Sequence, residues 1–73
     1  MAEKSTILQI KFGDRVRELR QKIKLSQEEL GFRTGLDRTY ISGIERGQRN
    51  PALINIGKLA KALKTTLPDL FKF

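Results

Sequence analysis

Arg38, Thr39, Tyr40 and Ser42 fall along one short segment, and Arg46, Arg49 and Asn50 follow close behind. Guanidinium groups only donate hydrogen bonds, whereas hydroxyl and phenol groups both donate and accept. Together they suit the recognition of a polar or anionic surface better than the making or breaking of bonds. A helix placed there for structure alone would use Ala, Glu, Lys or Gln at exposed positions, because these are better helix formers. The same side chains also fit a solvated face, and Tyr40 also fits simple packing. The chain has no histidine and no cysteine. The usual general base, the usual zinc ligands and any disulfide are therefore missing. No cofactor or metal is expected. Asp, Glu, Ser or Lys chemistry remains open, but the expectation is that the chain is not an enzyme.

These residues need elements to hold them, and the sequence reads as helical almost throughout. Phe12, Val16, Leu19 and Ile23 recur at helical spacing. Thr6 with Gln9 resembles a capping box, so a first helix is expected from about Ile7. Gly13 inside it costs about 1 kcal/mol relative to Ala. Ser26-Gln27-Glu28-Glu29 is a clearer capping box and opens a second helix to about Arg33 or Thr34, anchored by Leu30. Gly35 suits the left-handed position that ends a helix. Asp37 then caps a third helix to about Arg46, with Leu36, Ile41 and Ile44 facing inward and Gly47 stopping it.

Pro51 precedes or opens a fourth helix with an apolar stripe of Leu53, Ile56, Leu59, Ala60 and Leu63. Gly57 is a mild liability within it. Thr66 with Asp69 caps a short fifth helix that has Pro68 in its first turn and carries Leu67, Leu70 and Phe71. No segment alternates with period two for long enough to be a strand. The expected fold is all-α, one domain over 1–73 with five helices; helices four and five cover about 52–72.

With 15 Lys and Arg against 8 Asp and Glu, the net charge is +7. That charge fits plain solubility or a polyanionic partner, either nucleic acid or an anionic membrane. No apolar run is long enough to span a bilayer, and "MAEKSTILQI" has no sustained secretory h-region. A soluble, cytoplasmic protein is expected. The apolar stripe of helix one is narrow and needed for the core, which argues against a membrane-surface role.

Two short helices joined by a Gly-containing turn, about 26–47, make a helix-turn-helix candidate. In that arrangement the second helix enters the major groove of double-stranded DNA and its N-terminal residues meet base edges. Here those residues are Asp37, Arg38, Thr39, Tyr40 and Ser42. The stretches "RVRELRQ", "LSQEEL", "YISGIERGQRNP" and "LAKALKTTLPDLF" resemble the Cro and phage-repressor type helix-turn-helix family. The likeness runs from Phe12 to Phe71. Within that family, "GLDRTYISGIERGQRN" is similar to the controller proteins of restriction–modification systems, homodimeric regulators of transcription that bind palindromic operators.

The resemblance implies base contacts from Arg38, Thr39 and Tyr40, with Ser42 on phosphate or base. It implies phosphate contacts from Gln27 and Arg17, with Gln27 also bracing the recognition helix. Arg46, Arg49 and Asn50 lie where the family meets the DNA backbone and, in the case of Arg49, bases as well. It further implies a buried ion pair of Arg20 with Glu45. In activating relatives, acidic residues at the positions of Glu28 and Glu29 touch RNA polymerase. First-turn carboxylates also simply favour the helix dipole. Gly31 replaces the family's usual Ala, and Lys64 replaces the usual Gly after helix four.

A single helix-turn-helix reads few base pairs, so a homodimer on two half-sites is expected. Leu67, Leu70, Phe71 and Phe73 offer an interface; they also fit a role as a cap on the core. Alternatives are a DNA-binding antitoxin or other protein-binding module, a phage-type repressor, and an RNA binder. An antitoxin would be expected to carry a further partner-binding segment beyond Phe71. An RNA binder would be expected to show an aromatic platform on a sheet.

Overall fold

The computed structural model describes residues 6–73. The stretch 1–5, half of the segment without a secretory h-region, lies outside them. The described residues form five helices: α1 (Ile7–Lys22), α2 (Gln27–Thr34), α3 (Arg38–Glu45), α4 (Leu53–Ala62) and α5 (Leu67–Leu70). Four of the five starts have a side-chain cap. Thr6 and Gln9 exchange side-chain and backbone hydrogen bonds at 2.9 and 3.0 Å, and Ser26 and Glu29 do the same at the same lengths. Asp37 accepts the Thr39 N–H at 2.8 Å, and Thr66 accepts the Asp69 N–H at 3.2 Å. Ala52, before α4, offers no side-chain cap.

The helix ends follow two patterns. After α2, Gly35 turns left-handed at φ 73° and its N–H donates to the Gly31 carbonyl. After α1, α3 and α4, paired reverse hydrogen bonds close the last turn around Lys24, Gly47 and Lys64. Lys24 and Lys64 sit at φ 59° and 56°. The corner after α4, where the resemblance leads one to expect a glycine, is left-handed at Lys64.

The core gathers Phe12, Val16 and Leu19 from α1, Leu30 from α2, Ile41 and Ile44 from α3, Leu59 and Ala60 from α4, and Leu70 from α5. α3 packs against α1 and α2, and α4 against α2 and α5. The approach of α1 to α3 depends on Gly13. A Cβ there would overlap the Ile44 carbonyl oxygen and stand 2.8 Å from that of Glu45. What reads as a helix liability is thus a contact surface.

Two expectations need correction. Leu53 is 77% exposed rather than part of the α4 core stripe. It lies in the first turn, where the helix has run beyond the core, so the stripe begins at the partly buried Ile56. Leu70 is fully buried within its own chain. It therefore fits the cap on the core rather than an exposed interface, whereas Leu67, Phe71 and Phe73 are 46%, 41% and 50% exposed. Phe71 stacks on Phe12 with ring centroids 5.1 Å apart, and Phe73 leans on Phe71 at 6.2 Å. Arg15 further pins α5 to α1, donating twice to the Asp69 carbonyl at 3.0 and 2.8 Å.

Candidate nucleic-acid interface

The Ser26 and Asp37 caps, with the Gly35 turn between them, set α3 at an angle to α2 and present its first turn outward. Thr34 at the end of α2 stabilises that turn: its hydroxyl donates to the Leu30 carbonyl at 2.8 Å and accepts the Leu36 N–H at 3.2 Å. Gln27, Arg38, Thr39, Ser42 and Arg46 together line a shallow concavity of about 210 Å³. The Arg38 and Thr39 side chains are exposed. Arg46 is held in place, donating to Ser42 Oγ and to Gln48 Oε1, the latter at 3.2 Å.

Behind this surface sits a buried charge. Glu45 is 1% exposed. Arg20 donates to its two oxygens at 2.6 and 2.9 Å, and Gln27 Nε2 donates to it at 3.1 Å. Arg17 Nε stands 3.5 Å from the same carboxylate, and its Nη2 donates to the Glu45 backbone carbonyl at 3.4 Å. Burial pushes the Glu45 carboxyl up, but the hydrogen bonds from Arg20 and Gln27, with the Arg20 charge, outweigh it and hold the group below its ordinary value. The Arg20 guanidinium is raised in turn, chiefly by its hydrogen bond to Glu45. Gln27 therefore reaches from α2 to the foot of α3, so the two helices are locked together by the same carboxylate that holds α1.

A second group flanks the first. The Tyr40 ring packs on the core rather than pointing wholly away from it. The Arg49 guanidinium lies over the ring, 5.7 Å from its centroid. Gly43 makes room for that arm, since a Cβ there would stand 2.8 Å from Arg49 Cγ. Asn55 Nδ2, on α4, donates to the Tyr40 hydroxyl at 3.2 Å. Sequence reasoning misses Asn55 and the packing of the Arg49 arm over Gly43. The one available signal is a polar residue inside the apolar run "LINI". Asn50 is exposed in the loop between α3 and α4.

The remaining candidates lie apart. Glu29 is engaged in its cap, and accepting the Ser26 N–H holds its carboxyl below the ordinary value. Glu28 lines a separate hollow with Phe32, Asp37 and Arg38. Phe32 is 83% exposed, and sequence reasoning does not single it out. Among the described residues, no cluster of acidic side chains could hold a metal ion. Nor is any helix there long and apolar enough to cross a membrane.

An α3 presented in this way, supported by α2 and fixed by a buried ion pair, defines the helix-turn-helix class. The helix-turn-helix family profile matches residues 16–70. The control protein C.BamHI of Bacillus amyloliquefaciens is 49% identical over 67 residues, covering 90% of this chain and 83% of that protein. The crystal structure of the restriction–modification controller protein C.AhdI from Aeromonas hydrophila superposes with a TM-score of 0.83 at 56% identity, covering 85% of this chain and 94% of that one. The restriction–modification controller protein C.Esp1396I, solved as a tetramer with its natural 35 base-pair operator, gives a TM-score of 0.85 at 33% identity, covering 92% and 88%. The chain belongs to the Cro and phage-repressor type helix-turn-helix family, on the side of the restriction–modification controller proteins.

Proposed function

We propose that this protein is a sequence-specific DNA-binding regulator of transcription, acting in the cytoplasm as a homodimer on a palindromic operator and controlling restriction–modification genes. It performs no chemistry of its own. The observation that carries this is the concavity of Gln27, Arg38, Thr39, Ser42 and Arg46, which gathers donors and hydroxyls along one face of α3 on a chain of net charge +7. Arg38, Thr39, Tyr40 and Arg49 read base edges, with Ser42 on base or phosphate. Arg46, Arg17, Gln27 and Asn50 fix the phosphates. Self-association rests on Leu67, Phe71 and Phe73 together with Leu53 and Ile54, which are 77% and 74% exposed in the first turn of α4.

Selection from a randomised duplex at about 150 mM salt, a concentration at which non-specific contacts weaken, tests the reading alongside the mass of the free protein. An inverted repeat with a dimeric mass is expected; recovery of no motif would overturn it. A polymerase contact, if the protein activates, is assigned to Glu28 rather than Glu29, whose carboxylate also accepts the Ser26 N–H. Glu28 lines one hollow with the exposed Phe32. Glu28→Lys should lower promoter activation at unchanged operator affinity. Unchanged activation would remove the contact.

A further inference from the structure

The hydroxyl of Tyr40 has one proton to give and two lone pairs to receive with. Among the described residues, its single hydrogen bond comes from Asn55 Nδ2, at 3.2 Å. That bond occupies a lone pair and leaves the proton free. The ring is fixed at the same time, with its body against the core and the Arg49 guanidinium over its face. A phenol held in this way keeps its proton and one lone pair, and because Asn55 donates to it, the proton points away from Asn55.

We infer that Asn55 is a positioning residue for base readout, setting Tyr40 as a hydrogen-bond donor toward the major groove. The inference rests on the proposed operator-binding function. The proton there favours guanine O6 or N7, adenine N7 or thymine O4; only the one lone pair left can meet the amino groups of cytosine and adenine. Asn55 touches no base in this scheme. It lies on α4, outside the helix-turn-helix, so the polarity of a recognition side chain is set from a different helix.

The test is duplex selection followed by affinity measurement with the full chain and its Asn55→Ala, Asn55→Asp and Tyr40→Phe variants. Asn55→Ala should relax the preference at one base pair of each half-site by about five-fold, the scale of one net hydrogen bond. Tyr40→Phe should relax the same base pair, and the double variant should lose no more than Tyr40→Phe alone.

Asn55→Asp is the decisive arm. A carboxylate accepts the phenol proton, leaving only lone pairs toward the groove. Preference at that base pair should then turn from acceptor bases toward those presenting an amino group. A merely structural Asn55 would change affinity for every sequence alike and invert nothing. Additive losses, or an Asn55→Asp preference equal to that of the unaltered protein, would overturn the inference. If the unaltered protein selects no motif at all, the operator-binding reading fails instead.

Discussion

Arg38 and Arg46 line the same concavity, yet their surroundings separate their roles. Arg46 is braced on Ser42 and Gln48, whereas the Arg38 guanidinium has no protein hydrogen-bond partner among the described residues and is free to meet a base edge. Arg38→Ala should therefore cost roughly 1–3 kcal/mol at one base pair, the range of a bidentate contact to guanine, and relax preference there. Arg46→Ala should weaken all sequences alike and lower the salt slope by about one. Titrations of operator and scrambled duplex across a salt series distinguish the two; equal losses on both for Arg38→Ala would end its role as a reader. Arg17→Ala is a poorer probe, because Arg17 also holds Glu45 and its loss strains the fold. Glu45 itself is a stability determinant. Its carboxyl titrates lower in the folded chain than in the unfolded one. Its contribution is therefore complete above the unfolded value and is lost as pH falls through the lower folded value. Removing one partner of a buried pair costs about 3–5 kcal/mol, against a total stability of roughly 4–11 kcal/mol for a domain of this length. Glu45→Gln should unfold far more easily at neutral pH than the unaltered protein, and its stability should change less on acidification. Thermal melts between neutral and acid pH would show this, and parallel curves would refute it.

The helices illustrate what a sequence discloses and what it hides. Caps and stops are local, so Thr6, Ser26, Asp37, Thr66 and the Gly35 turn are all legible from residue type and spacing. Contacts between helices are not. Gly13 and Gly57 look alike in the sequence, each a glycine within a helix, yet they differ in space. A Cβ at Gly57 meets nothing within 4 Å, whereas one at Gly13 runs into the backbone of α3. Gly57→Ala should stabilise by about 1 kcal/mol through helix propensity alone, raising the melting temperature by roughly 4–8 °C. Gly13→Ala should destabilise by about 1–3 kcal/mol or more, since the obstruction is backbone and cannot rotate away. Melting both variants decides it; matching shifts would mean the α1–α3 approach is looser than the geometry indicates. Leu53 escapes sequence reasoning for a related reason: periodicity gives the direction of a face but not where along the helix its partner ends. The site is legible as far as α3 itself. Its support from Gln27 follows only from family resemblance, and the support from Asn55 needs the docking of α4.

At the scale of the whole molecule, the proposed function needs a second copy for its specificity. One α3 spans only a few base pairs, and two placed about 34 Å apart on one face of the duplex read an inverted repeat. The free chain leaves Leu53 and Ile54 three-quarters exposed, while Phe71 and Phe73 are partly covered by their own stack on Phe12. The most exposed apolar surface of the expected interface therefore lies at the start of α4, with the α5 residues adding area beside it. Ile54→Glu places a charge on that surface without touching the core or the concavity of α3. It should sediment as a monomer at micromolar concentration and bind an isolated half-site with ordinary affinity, while losing the cooperative gain on the full inverted repeat. A dimeric Ile54→Glu would move the interface to α5, where Phe71→Ser would then be the variant that dissociates. A monomer that also loses half-site binding would mean that association orders α3 itself. In either case the salt slope on the full repeat counts the phosphates engaged by the assembled pair, and a variant confined to one half-site should show about half of it.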